Sequence, residues 1–77
     1  MKSIYEAEYR AIIERLIARR KELGLSQSEV AKLLGFGFDQ TVISKVETFV
    51  RRIDIIETKR ICQSLQMDIL DLFKDAK

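Results

Sequence analysis

Several residue types are absent or rare in this 77-residue chain, which has no histidine, proline or tryptophan and a single cysteine, Cys62. A lone cysteine excludes an internal disulfide framework, and the usual zinc sites need histidine or more cysteines. No apolar run approaches the roughly 18 residues of a membrane span, and no segment resembles a signal peptide. We therefore expect a cytoplasmic protein that binds no cofactor, no metal and no membrane.

Residues for catalysis are equally scarce. The chain offers no histidine, no nucleophile–base pair and no phosphate-binding glycine loop, so we predict that it is not an enzyme. Its hydrophobic fraction of 47% is normal for a globular protein, and its length allows one domain, residues 1–77. The net charge of +2 is weak evidence for nucleic-acid binding, since the placement of charges matters more than their sum.

The hydrophobic pattern predicts an all-α fold, a compact five-helix bundle with short loops. The expected helices are Tyr5–Leu23, Gln27–Leu34, Gln40–Thr48, Ile55–Leu65 and a short last helix that Asp68 opens and that carries Leu72 and Phe73. Apolar residues at helical spacing are expected to face the core: Tyr9, Ile13, Leu16, Ile17, Leu23, Val30, Ala31, Leu34, Ile43, Val46, Ile55, Ile61, Cys62 and Leu65.

Capping residues mark the helix ends. Ser26 with Glu29, and Asp54 with Glu57, have the spacing of capping boxes, and Asp39 is placed to cap the third helix. Gly24 suits the left-handed residue that ends the first helix. The second and third helices are therefore short, amphipathic and joined by a turn at Gly35, which is the arrangement of a helix-turn-helix reader of DNA.

In sequence the chain resembles the lambda-repressor-like (Xre-type) helix-turn-helix family over about residues Tyr9–Phe73. The resemblance rests on Arg20, the segment 24–27, Val30, Ala31, Leu34, Gly35, Gln40, the segments 43–47 and 61–65, Leu72 and Phe73. It implies a sequence-specific DNA-binding transcriptional regulator. We expect a repressor that binds an inverted-repeat operator in double-stranded DNA as a homodimer, with helix 40–48 in the major groove and the last helix with Phe73 as dimer surface.

The polar residues of the third helix are the candidates for reading bases: Gln40, Thr41, Ser44 and Lys45. Glutamine can pair with the adenine N6/N7 edge, lysine with guanine O6/N7, and threonine can contact a thymine methyl group. The alternative is an ordinary solvated helix surface.

Four residues are candidates for phosphate contacts: Ser26, Gln27, Arg51 and Arg52. The first two stand at the start of a helix whose free N–H groups favour an anion. The alternative for Ser26 is that it only caps the helix. In either case the amide of Gln27 is expected to stay free. The arginines follow the third helix, and the alternative for them is a solvated surface pair. The resemblance further implies a structural ion pair between Arg20 and Glu47.

The chain departs from the family at three places. The turn from Gly35 to Ile43 is longer than usual, as if residues had been inserted around Phe36 and Gly37. Phe49 and Gln66 stand where the family commonly has glycine, and a left-handed backbone at Phe49 would be costly for a phenylalanine. These changes bear on the docking geometry more than on the fold.

Phenylalanines are concentrated in or beside the loops, at Phe36, Phe38 and Phe49. We expect at least one of Phe36 and Phe38 to pack against the core and anchor the longer turn. If the phenylalanines instead form an exposed patch, the alternative function is a protein-interaction module, such as an antitoxin that binds a partner toxin. Cys62 is expected to be a buried, unreactive thiol.

Overall fold

The computed structural model describes residues 6–35 and 37–74. This part of the chain contains five helices and no strand. In chain order they are α1 (Glu6–Glu22), α2 (Gln27–Leu34), α3 (Gln40–Glu47), α4 (Ile55–Ser64) and α5 (Ile69–Leu72). The predicted all-α, five-helix fold is confirmed. Leu23, Thr48, Leu65 and Phe73 each follow a helix directly instead of belonging to it, and Tyr5 lies outside the described residues.

The core lies where the helices meet, since α2 packs against α3 and α4 while α1 packs against α3 and α5. Its buried members come from all five helices and the end of α4: Ile13, Leu16, Val30, Ala31, Leu34, Ile43, Val46, Ile61, Cys62, Leu65 and Leu72. Within the described residues, no helix is both long and apolar enough to cross a bilayer.

The predicted burial of Ile55 is wrong, because its side chain is 75% exposed. Thr58 is buried in α4 instead, and its hydroxyl donates to the carbonyl of Asp54 over 2.7 Å. Ile53, which precedes the helix, packs against the core. Periodicity places residues 55 and 58 on the same face of α4. The helix nevertheless begins at the edge of the core, so residue 58 is covered by other helices and residue 55 is not.

Helix α1 ends in a Schellman motif. The N–H of Leu25 donates to the carbonyl of Arg20 over 3.1 Å, and the N–H of Gly24 donates to that of Lys21 over 3.0 Å. Gly24 has the predicted left-handed backbone, with φ of 70°. The motif satisfies two carbonyls that the helix leaves without a partner.

Helices α3 and α4 end in the same motif without glycine. Phe49 and Gln66 occupy the left-handed position with φ of 64° and 52°, and their N–H groups donate to Val46 and Gln63 over 3.2 Å in each case. These two departures from the family therefore leave the backbone path of the motif unchanged. The strain, about 1–2 kcal/mol for each non-glycine residue, must be offset by other contacts.

Two kinds of contact hold these strained residues. The ring of Phe49 packs against the core, with the guanidinium of Arg10 4.3 Å from its centroid. At the end of α4, Arg19 donates to the carbonyls of Leu65 and Gln66 over 3.0 and 3.1 Å. An arginine of α1 thus caps the negative end of α4.

Gln66→Gly should raise the free energy of unfolding by about 0.5–1 kcal/mol, since the relief of strain exceeds the extra chain entropy of glycine. The hydrogen bond from Arg19 uses the backbone and survives the change. Gln63→Gly, inside α4, is the matched control and should instead lower stability by about 1 kcal/mol. Urea unfolding measures both. Equal losses in the two variants would show that the left-handed position carries no strain.

Candidate nucleic-acid interface

Helix α3 presents its polar face outward. The carboxylate of Asp39 accepts from the N–H of Val42 over 2.9 Å, which starts the helix at Gln40. Ile43 and Val46 are buried on the inner face. On the outer face lie the four candidates for base contact, of which Gln40, Thr41 and Lys45 are exposed and Ser44 is partly exposed.

Gln40 is held in place by one side chain of the neighbouring helix α2, that of Gln27. Its Nε2 donates to Oε1 of Gln27 over 2.7 Å, and Nε2 of Gln27 donates to Oε1 of Glu47 over 2.9 Å. The expectation that the amide of Gln27 stays free is therefore wrong, because the crossing of α2 and α3 brings three polar side chains together. One amide N–H of Gln27 remains for a further partner.

Glu47 pairs with Arg20, as the resemblance implies. Nε and Nη2 of the arginine donate to the two carboxylate oxygens over 2.7 and 3.0 Å, and the side chains are only 13% and 14% exposed. Nη1 of Arg20 donates to the carbonyl of Leu25 over 2.9 Å. Because two-point geometry fixes orientation, the pair joins α1 to the end of α3 and anchors the chain of bonds that reaches Gln40.

Ser26 caps α2. Its Oγ accepts from the N–H of Glu29 over 3.0 Å, and the carboxylate of Glu29 accepts from the N–H of Ser26 over 2.8 Å, so the predicted capping box is complete. The backbone hydrogen bond from Ser26 lowers the pKa of Glu29. The hydroxyl hydrogen of Ser26 can still be donated to another group.

Arg51 and Arg52 both have carboxylate partners. Arg51 makes a two-point pair with Glu57 over 3.2 and 2.9 Å. Arg52 donates to Glu6 over 2.7 Å, and its guanidinium lies 4.3 Å from the centroid of the Tyr9 ring. In each guanidinium some of the five N–H groups take no part in these contacts.

The hydrogen bond from Arg51 lowers the pKa of Glu57. A carboxyl group whose pKa is lower in the folded state stabilises the fold above its unfolded pKa of about 4.3, and this contribution is lost as the pH falls through the folded-state pKa. Glu57→Gln should therefore lower stability at pH 7 and make it less dependent on pH in the acid range. Thermal unfolding from pH 7 to pH 3 measures this, with the exposed Glu8→Gln as control; parallel curves for Glu57→Gln and the unmodified protein would contradict it.

Two of the loop phenylalanines, Phe38 and Phe49, lie against the protein. Phe38 and Phe49 are partly buried and pack on the core, which confirms that at least one of Phe36 and Phe38 anchors the turn. Phe36 itself lies outside the described residues. Cys62 is buried, and burial raises the pKa of its thiol, as suits an unreactive cysteine.

Two arginines of α1 have roles that the sequence analysis missed. Arg19 caps α4, and Arg15 donates to the carbonyl of Leu72 at the end of α5 over 2.6 Å. Their spacing of four residues on one helix face is a usable signal, but nothing in the local sequence identifies the carbonyls that they reach.

Comparison with known proteins places this geometry in a family. The model of the helix-turn-helix family matches residues 16–72, and no curated protein matches the chain. The matched segment contains α2, the turn and α3, together with both members of the Arg20–Glu47 pair. Such domains are DNA-binding and regulatory and not typically enzymatic. The chain belongs to the helix-turn-helix family, of the lambda-repressor-like (Xre) type that its sequence resembles.

Proposed function

We propose that this protein is a sequence-specific transcriptional repressor that inserts α3 into the major groove of its operator. The observation that carries the proposal is the exposed amide of Gln40, held at the start of α3 by Gln27. A side chain that is already ordered loses less entropy on binding, so it can contact an adenine edge with little cost of fixing its rotamer. Thr41, Ser44 and Lys45 complete the base-reading surface.

Phosphate contacts on either side would set the register of α3 on the duplex. We assign them to Ser26 and Gln27 at the start of α2 and to Arg51 and Arg52 after α3. The carboxylates of Glu57 and Glu6 hold the two arginines in position while leaving some of their donors for DNA. Such contacts supply affinity but no base preference.

We further propose that residues 1–77 form one domain that binds an inverted repeat as a homodimer. Leu70 and Phe73, at the last helix, are 71% and 52% exposed, and exposed apolar side chains are typical of interfaces. Two copies would place their α3 helices in half-sites about 34 Å apart, one turn of the duplex.

Selection of binding sites from random double-stranded DNA, followed by footprinting, tests the proposal. We expect a selected sequence with inverted symmetry, protected on one face of the duplex. Sedimentation of the protein with that DNA should give two copies per site. Recovery of no preferred sequence would overturn the proposal, and a single copy on an asymmetric site would overturn the homodimer.

The role of Arg51 can be separated from base reading. Arg51→Ala should weaken binding to all sequences alike and reduce the slope of log K against log salt by about one unit, because one phosphate contact is lost. Lys21→Ala, an exposed cation on α1, is the matched control and should leave the slope unchanged. Titrations at several salt concentrations measure this. A changed base preference in Arg51→Ala would assign this residue to the bases instead.

The alternative, an antitoxin that binds a toxin through phenylalanine-rich loops, gains no support from the described residues. Phe38 and Phe49 face the core and form no exposed aromatic patch. A regulator of transcription is therefore the function that the geometry favours.

A further inference from the structure

A groove of about 300 Å³ lies between the C-terminal end of α2 and the outer face of α4. Along α4 it is lined by Ile56, Lys59, Arg60 and Gln63, whose spacing places them on one face of the helix. Leu33 lines it from α2. The proposed contacts with DNA and the proposed dimer surface use none of these residues.

The lining combines apolar and cationic side chains. Leu33 and Ile56 are each 56% exposed and lie side by side across the groove. Lys59 and Arg60 are exposed and form no ion pair with any residue in the ranges 6–35 and 37–74. Two exposed aliphatic side chains at the edge of a mainly polar groove, beside these two cations, are complementary to a helix with a small apolar face and an acidic face.

Two other occupants fit less well. A second copy in a two-fold arrangement would bring the same patch onto itself, so four cations and no carboxylate of the groove lining would lie in one interface. DNA would pair with the cations but would leave Leu33 and Ile56 against charged phosphates. Gln27, which holds the base-reading Gln40, begins α2, whereas the groove adjoins the other end of this helix. The two ends of the eight-residue helix are about 12 Å apart.

We propose that the groove between α2 and α4 binds an acidic amphipathic helix of a partner protein. The apolar face of that helix covers Leu33 and Ile56, and its carboxylates pair with Lys59 and Arg60. Because the DNA-reading end of α2 stays free, the protein can hold this partner and DNA together. Binding of the partner helix does not depend on the proposed function, whereas its simultaneous binding with DNA rests on it.

The first test is a titration of isotope-labelled protein, followed by NMR, with a synthetic helical peptide that carries leucines on one face and glutamates on the other. We expect shifts of the amide signals of Leu33, Ile56 and Lys59. A peptide with lysine in place of every glutamate should bind at least roughly fivefold more weakly, because its charges repel the rim. Equal binding of the two peptides, or shifts confined to another surface, would overturn the proposal.

Variants identify which residues hold the peptide. The double change Lys59→Gln and Arg60→Gln, and separately Ile56→Ser, should each weaken binding of the acidic peptide by roughly fivefold. The double change Lys21→Gln and Lys74→Gln removes the same charge from exposed sites elsewhere and is the control, with an effect of less than about twofold. Circular dichroism verifies that all variants fold. Equal effects in the groove and control variants would contradict the proposal.

The same variants decide between the partner helix and the other occupants. Ile56→Ser should leave the sedimentation behaviour of the protein unchanged, since a shift in its self-association would make the groove an interface between copies. The Lys59 and Arg60 variant should bind DNA as well as the Lys21 and Lys74 control does. A larger loss than in the control would assign the cations to phosphates and overturn the proposal, without affecting the assignment of α3.

Discussion

Arg20→Met should lower the free energy of unfolding by about 3–5 kcal/mol, the largest effect that we expect from any single exposed or partly buried residue of this protein. The substitution leaves Glu47, only 14% exposed, with the amide of Gln27 as its remaining partner. It also removes the donor to the carbonyl of Leu25. Methionine fills much of the volume of arginine, so the loss comes from the uncompensated carboxylate.

Chemical denaturation of a double-mutant cycle measures the pair. Replacing both residues, as Arg20→Met with Glu47→Met, should recover much of the loss, because no buried charge is then left alone. Lys21→Met changes the adjacent exposed cation of α1 and should have an effect within about 0.5 kcal/mol. An interaction energy near zero would show that the two charges contribute independently, in spite of their two-point contact.

Gln40→Ala should weaken binding to the selected operator by about 1–3 kcal/mol and relax the preference at one base position, because a two-point contact to a base edge is lost. Binding to unrelated DNA should hardly change. Gln63→Ala removes an exposed glutamine from α4 and is the matched control. Unchanged affinity and base preference in Gln40→Ala would remove α3 from the role of recognition helix.

The support that Gln27 gives to Gln40 has its own consequence. Gln27→Ala should relax the preference at the same base position as Gln40→Ala, and the double variant should lose less than the two single losses together. This non-additivity distinguishes a side chain that positions Gln40 from one that contacts only phosphate. Additive losses with an unchanged base preference would leave Gln27 with the phosphate role alone.

The parts of this structure that the sequence predicts are those set by neighbours along the chain. Asp39 and Ser26 cap α3 and α2 through the N–H groups three residues further on, and Gly24 ends α1 with a local turn. Ile43 and Val46 lie on one helix face because of the helical period alone. Burial of Ile55 depends on how far the neighbouring helices extend along α4, so the same helical period predicts the wrong environment for this residue.

The sequence by itself determined an all-helical protein with a helix-turn-helix and an α3 whose polar residues face outward, since periodicity and capping act over three or four residues. Only the tertiary structure decided which polar groups meet. Gln40 reaches Gln27, Arg19 reaches the end of α4, and Phe49 and Gln66 accept a left-handed backbone. The physical reason is that an amide or a guanidinium can pair with many groups equally well, so its partner depends on where packing of the core places the helices.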